Sequence, residues 1–158
     1  MEELIAYRQE LLLALESVID ELTKTVNGIP STAWHQPYGL DSRTPHYTLA
    51  HLRELEARWF SVQLPRIKNE TAPVLPAFEG QAWMANHYQP GESSEEILED
   101  FSNLRLQELS WLRTLSPAGW SCMARHPWWG VHTLQWWVEL QLDLSRQHLT
   151  ELASVLDI

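Results

Sequence analysis

The chain has few cysteines, few basic residues and no long apolar runs, and each shortage excludes a class of protein. Cys122 is the only cysteine, so no disulfide can form within the chain, and we expect a reducing, cytoplasmic location. Eleven basic residues face 21 acidic ones, and the formal charge of −10 argues against nucleic acid and anionic membranes as partners. No apolar run approaches the roughly 18 residues of a membrane span, and Glu2 and Glu3 are unlike the start of a signal peptide.

The familiar short motifs of catalysis are also missing from the sequence. It contains no glycine-rich phosphate loop, no nucleophile elbow, no HExxH pair, no paired-cysteine site and no DxDxDG calcium loop. With 158 residues the chain fits a single domain, 1–158. Any chemistry must therefore come from residues that the fold brings together.

Tryptophan, by contrast, is abundant. There are nine, and four of them fall within ten positions: Trp128, Trp129, Trp136 and Trp137. Such rings fill a core well, but they also line ligand pockets and oligomer interfaces, because each offers a large apolar area with one polar group. The sequence leaves these readings open.

Apolar residues recur with helical spacing in four segments, and we find no convincing strand pattern. The second segment opens with the cap Thr44-Pro45 and carries its apolar stripe through Trp59 and Val62 to Pro65. The third opens with a capping box, Ser93 to Glu96. The predicted helices lie near 2–26, 44–66, 93–115 and 132–156.

A proline- and glycine-rich stretch, 69–92, separates the second and third helices, with a short helical turn predicted at Gln81–Asn86. Four amphipathic helices and one long connection predict an all-α fold. We therefore expect an antiparallel four-helix bundle with a long crossover between its second and third helices.

Two of the seven histidines stand out. His35, His46 and His87 lie in or beside predicted loops, where solvation accounts for them, whereas His51 lies at the edge of an apolar stripe and His148 lies on one. Each alone is explained by a hydrogen bond in the core. Because a bundle brings facing helices together at its centre, the pair also suggests a metal site.

A catalytic zinc or nickel site needs three protein ligands and an open position, and spacing supplies only two, His51 and His148. An oxygen ligand could come from Gln141, Glu54 or Glu139, but no spacing rule selects among them. Asp143 points elsewhere on the helix, and a lone thiol such as Cys122 is a weak alternative. A histidine pair on one helix needs i, i+4 spacing, and Leu144 occupies that position relative to His148.

The order of several short motifs resembles the DinB-like (DinB/YfiT) superfamily, whose members are regarded as metalloenzymes, and within it the DinB_2 type. The resemblance covers almost the whole chain. It is carried by Thr48-Leu49-Ala50-His51-Leu52 with Glu56, by Arg105, by His126-Pro127-x-x-Gly130-x-x-Thr133-Leu134, and by His148-Leu149-x-x-Leu152.

The resemblance implies a four-helix bundle with unusual connectivity, generally a homodimer, and a three-histidine site for a divalent metal. Some relatives are thiol-dependent transferases and isomerases that use bacillithiol or mycothiol. Carried over to this chain, two ligands fall on His51 and His148 and the third on Leu144, where the usual His-Asp pair reads Leu144-Ser145. The resemblance gives His126 no ligand role.

Two functions follow as hypotheses. The first is a non-catalytic or small-molecule-binding bundle with a degenerate, two-of-three-histidine site and no cofactor. The alternative is a thiol S-transferase that depends on zinc or nickel held by His51 and His148, with a small-molecule or thiol ligand. In both cases we expect a homodimer.

Overall fold

The computed structural model describes residues 1–39 and 42–157 and is mostly helical. Residues 40 and 41, in the predicted loop after the first helix, and residue 158 lie outside the described residues. The helices are α1 (Glu2–Gly28), α2 (Pro45–Leu55), α3 (Ser61–Asn69), α4 (Gly80–His87), α5 (Ser94–Leu112), α6 (Pro117–Trp120) and α7 (Leu134–Ala153). A π-helical turn, Glu56–Phe60, joins α2 to α3, and a 3₁₀ turn, Ser154–Asp157, follows α7. None of the described helices is long and apolar enough to cross a membrane.

Four helical units, α1, α2–α3, α5 and α7, form the bundle, so the all-α prediction is confirmed. Each of α1 and α2 packs against both α5 and α7. Contacts between the helices show their directions. Arg8, near the start of α1, donates a hydrogen bond to Gln135, near the start of α7, so these two helices run parallel. His51 of α2 is hydrogen-bonded to His148 near the end of α7, whereas Trp59, later in the chain, packs on Trp137 near its start, so α2 and α7 run antiparallel. The predicted antiparallel packing therefore holds for α1/α5 and α2/α7, while α1/α7 and α2/α5 run parallel.

The parallel α2/α5 pair explains the long crossover. The α2–α3 unit and α5 are successive helices of the bundle. Because they run in the same direction, the chain between them must return along the bundle, as in other bundles with crossovers. The crossover spans the gap between Asn69 and Ser94 and contains α4, which confirms the short helix predicted at Gln81–Asn86. The caps also match prediction, since Thr44 Oγ1 accepts from the Tyr47 N–H and Ser93 Oγ from the N–H groups of Glu95 and Glu96.

The prediction that the sequence forms no strands is wrong. Strands β1 (Met123–His126) and β2 (Gly130–Thr133) form an antiparallel hairpin, and Val74 of the crossover bridges to Arg125. Gly130 turns the chain at φ +79°, a conformation that favours glycine. Because each strand has only four residues, the alternation of buried and exposed side chains is too short to be recognised in the sequence. The last helix consequently begins at Leu134, capped by Thr133, rather than at 132.

The second helix departs from the predicted stripe at its π turn. Val62, predicted to face inward, is 50% exposed, while Phe60, Leu64 and Ile67 are buried. A π turn accommodates one extra residue, which rotates everything after it relative to an uninterrupted α-helix. The helix also continues past Pro65 to Asn69.

The tryptophans belong mainly to the core. Trp34, Trp59, Trp120 and Trp137 are buried, and Trp83, Trp111 and Trp136 are half-buried against the core. Trp128, at the hairpin tip, is 59% exposed and Trp129 is also exposed. Core filling therefore accounts for most, but not all, of these rings.

Candidate histidine centre and buried polar network

The structure brings His51 of α2 and His148 of α7 together in the bundle. The Nε2 of His148 lies 3.2 Å from the Nδ1 of His51, and the two rings meet edge to face at 5.1 Å between centroids. His148 is buried and His51 half-buried. The pair was predicted from two residues 97 positions apart because both fall on inward-facing stripes.

Hydrogen bonds define the protonation of the pair. The Nδ1 of His148 lies 2.8 Å from the carbonyl oxygen of Leu144, which can only accept, so Nδ1 carries the proton. Its Nε2 is then an acceptor, and His51 donates to it from Nδ1. Burial, and then the neighbouring His148 and Arg43, lower the pKa of His51 to about 4, so its ring is neutral at physiological pH.

The remaining nitrogen of His51, Nε2, faces the first residue of α4. A Cβ added to Gly80 would overlap this nitrogen, so only glycine leaves room for the ring as it stands. A cleft of about 380 Å³ is lined in part by Tyr47 and by Gln81, the residue after Gly80, but neither histidine lines it. The Tyr47 ring lies 6.3 Å from the ring of His51.

Among residues 1–39 and 42–157, no third metal ligand joins the pair. Leu144 lies one turn before His148, half-buried against the core. The proposed oxygen donors are engaged elsewhere: Glu54 pairs with two arginines, Glu139 accepts from the Tyr7 hydroxyl, and the Gln141 amide donates to two carboxyl groups. Within the described residues, no three His, Cys, Asp or Glu side chains form a group able to hold a metal ion. This donor set does not fit a catalytic centre with three protein ligands, and metal binding by the two histidines stays a prediction.

The other candidate ligands also lie away from the pair. Cys122 Sγ donates to the carbonyl of Ala118 at the end of α6. His126 is buried on the hairpin, where its Nδ1 accepts from the Trp128 N–H and its ring stacks on Trp129. Its Nε2 has no hydrogen-bond partner within the described residues.

His46 corrects a sequence-based interpretation. It was assigned to solvent beside a loop, but it lies in the first turn of α2 and is buried. Its Nδ1 accepts from the Tyr88 hydroxyl at 2.7 Å, and its Nε2 donates to the Glu92 carbonyl at 2.6 Å. It is a structural histidine that ties α2 to the end of the crossover.

Next to the histidines lies a buried ion pair between α5 and the π turn. Arg105 donates from Nε and from a terminal nitrogen to the two carboxylate oxygens of Glu56, both at 2.9 Å. It also donates to the Leu15 carbonyl and to Ser145 Oγ. Arg105 therefore ties all four helical units of the bundle together, and Ser145 takes part in this network through its hydroxyl group.

A second carboxyl group extends this network. The Gln141 amide donates to Glu56 at 2.9 Å and to Glu108 at 2.8 Å. Burial, followed by the charge of Glu56, raises the pKa of Glu108 well above its usual range. Burial also opposes ionisation of Glu56, but Arg105 and the hydrogen bonds hold its pKa below the usual value. Glu108 therefore keeps its proton to a higher pH than Glu56 does.

Sequence reasoning noted Glu56 and Arg105, missed Glu108, and considered Gln141 only as a possible metal ligand. The available signal was helical phase: Glu108 lies three residues after Arg105, and Gln141 seven before His148, so both fall on inward stripes. The role of Gly80 carried no local signal, because it depends on how the crossover packs.

Residues 14–152 match the family model of the DinB superfamily. The search of curated proteins gives no match. Among solved structures, the chain is similar to YfiT from Bacillus subtilis, described as a probable metal-dependent hydrolase with an unusual four-helix bundle topology. The two are 18% identical with a TM-score of 0.84, over 93% of this chain and 84% of YfiT, which establishes a common fold. Since the family model covers most of the chain, the protein belongs to the DinB superfamily.

Proposed function

We propose that this protein is a non-catalytic member of the DinB superfamily that binds a small molecule and has lost the family metal centre. The observation that carries the proposal is Leu144, whose side chain stands one helical turn before His148 where a third imidazole would be required. Two imidazoles without a third ligand leave a borderline-soft ion such as zinc or nickel weakly held.

The hydrogen bonds of the histidine pair support this proposal. His148 donates to the Leu144 carbonyl and accepts from His51, so each ring has a partner without an ion. The lowered pKa of His51 keeps that ring neutral and avoids a buried charge on it. In this role the histidines join α2 to α7.

The alternative is a thiol S-transferase that depends on a divalent metal, and one observation favours it. Two nitrogens 3.2 Å apart can both lie about 2.0–2.1 Å from one ion at a near-tetrahedral angle. The Nδ1 bond of His148 to a backbone carbonyl is also the usual support of a metal-bound imidazole. The 3.2 Å distance between the two nitrogens is therefore compatible either with a hydrogen bond between the rings or with both nitrogens bound to one metal ion, but the two arrangements exclude each other.

Elemental analysis separates the two functions. Protein purified without a metal-affinity tag is analysed for zinc and nickel, together with the variants Leu144→His and Leu140→His. Leu140 is a matched control, because it is a half-buried leucine on the same helix two turns from His148. We expect wild type and Leu140→His to hold far less than one ion per chain, and Leu144→His to bind about one.

Wild-type protein with one tightly held ion, lost in His148→Gln, would overturn the proposal and support the transferase. An absence of metal from all three proteins would show that the histidines are core residues that cannot be restored to a metal site by one substitution. It would leave the loss of the metal centre standing. The homodimer remains a prediction, tested by the mass in solution.

A further inference from the structure

A second cavity lies at the opposite end of the bundle from the histidines. It is a groove of about 630 Å³ between the first half of α1, the end of α5 and α6. Its walls are mainly apolar and include Leu12, Leu112, Leu115 and Trp120. The volume falls within the range of ordinary small-molecule sites.

Arg8 is the charged group of this groove. It is only 8% exposed, and its guanidinium carbon lies 5.5 Å from the centre of the Trp120 ring. Its Nε donates to Gln135 Oε1 at 2.8 Å. Among residues 1–39 and 42–157 no carboxylate pairs with it, and its two terminal nitrogens have no protein acceptor.

The contrast with Arg105 shows why this is unusual. Arg105 is fully buried, and every side of its guanidinium meets an acceptor, including both oxygens of Glu56. A buried cation without a counter-ion costs free energy unless something else compensates its charge. At Arg8 the unpaired nitrogens belong to a side chain that lines an open groove, where a ligand can supply the missing anion.

We propose that this groove binds a small carboxylate with an apolar tail. The planar guanidinium of Arg8 matches a carboxylate in a two-point hydrogen bond, and the tail would lie along Leu12, Leu112 and Trp120. Arg113 also lines the groove but is already paired with Glu16, so the charge available to a ligand is that of Arg8. This local charge is needed because the chain as a whole is strongly acidic.

The inference rests on the binding part of the proposed function and names a ligand class for it, but its site is separate from the histidines. Gln135, which holds Arg8, lies thirteen residues before His148 on α7, about 20 Å along the helix axis. Metal content and ligand binding can therefore fail independently of each other.

Isothermal titration of the intact protein with decanoate and with decan-1-ol tests the proposal without any substitution. The two probes share a ten-carbon chain and differ in charge. We expect decanoate to bind with one site per chain, and decanol at least about tenfold more weakly, because it cannot form the charged two-point hydrogen bond. Equal binding of the two probes, or no binding of decanoate, would overturn the proposal.

Substitutions then locate the site. Arg8→Gln should weaken decanoate binding by about 10- to 100-fold, whereas Arg146→Gln, an exposed arginine of α7, should leave it unchanged. If Arg8→Gln folds poorly, Leu13→Asp replaces it: Leu13 lines the groove but is 63% exposed, so a carboxylate there repels the ligand without disturbing the core.

Two results would contradict this location. Decanoate binding that survives both Arg8→Gln and Leu13→Asp would place the ligand elsewhere. A dimer that dissociates in Leu13→Asp and binds no decanoate would show that a second copy of the chain covers the groove. Neither result bears on the metal content that tests the loss of the metal centre.

Discussion

Gly80, the first residue of α4, packs directly against the imidazole of His51 on α2, so the crossover holds the histidine pair from outside the bundle. Gly80→Ala places a methyl group where His51 Nε2 now lies. We expect a loss of about 1–3 kcal/mol in the free energy of unfolding from overpacking, despite the better helix propensity of alanine. Urea unfolding followed by circular dichroism measures it.

Gly91→Ala is the matched control, because a Cβ at Gly91 meets no atom within 4 Å. It should leave the unfolding free energy almost unchanged. A Gly80→Ala protein as stable as wild type, with the histidine hydrogen bond intact by imidazole NMR, would show that α4 moves freely and does not position His51.

His51 should titrate at an unusually low pH. With the pKa of His51 lowered to about 4, the folded protein binds its proton less readily than the unfolded chain does. This contribution to stability is therefore complete above the ordinary value of 6.5 and is lost as the pH falls toward 4. Nitrogen-15 NMR of the imidazoles should show a neutral His51 with the proton on Nδ1 at about pH 6. A His51 that is half protonated there would contradict the hydrogen-bond assignment.

Glu108 should make the protein less stable in alkaline solution. Its pKa is raised in the folded state, so its stabilising contribution is complete below the ordinary value of 4.5 and is lost as the pH rises toward the raised value. The groups that face it are Glu56, Arg105 and Gln141. Glu108→Gln keeps a neutral hydrogen-bonding side chain, and we expect it to lose less stability than wild type between about pH 5 and pH 8.

Urea unfolding at the two pH values gives this comparison. Glu99→Gln, an exposed glutamate of the same helix, serves as the control and should retain the wild-type dependence. Parallel pH profiles for wild type and Glu108→Gln would show that Glu108 is ionised in the folded protein.

Removal of Arg105 should be among the most damaging single changes. Arg105→Met leaves Glu56 buried without its cation, and we expect a loss of about 3–5 kcal/mol. The double variant Arg105→Met/Glu56→Leu should recover part of that loss, because no buried charge remains. Arg113 follows the last residue of the same helix as Arg105 and forms an exposed ion pair with Glu16 of α1. Arg113→Met breaks this pair and should cost less than about 1 kcal/mol. Thermal unfolding ranks the three proteins, and equal effects of Arg105→Met and Arg113→Met would contradict this interpretation.

Helical phase carried most of the fold prediction. The apolar stripes and the caps at Thr44 and Ser93 are local signals, and the structure confirms the four helical segments and both caps, although Val62 lies exposed after the π turn. The hairpin 123–133 was not predicted because its strands are too short to show a clear alternation of apolar and polar residues. Its inward residues Ala124 and His126 also pack on the helical bundle rather than on a second sheet. The parallel neighbours could not be predicted, since stripe patterns do not encode helix direction.

The candidate site was predictable only in part, for a related reason. His51 and His148 could be placed on facing stripes, but neither the Gly80 contact nor the lone guanidinium of Arg8 follows from spacing. Both depend on the packing of segments distant in sequence. Arg8 in particular reads as an ordinary solvated arginine until the burial of its side chain is known.

The π turn at Glu56–Phe60 lets this long helix hold one residue more than a regular α-helix would need to keep α3 on its present face. If the same residues closed into a continuous α-helix, each side chain of α3 would turn by about 100° relative to α2. The downstream half would then present a different face to α7 and the hairpin, while the His51 end stayed in register. A loss of the π turn would therefore act as a rotation of half the helix, with little change in its length.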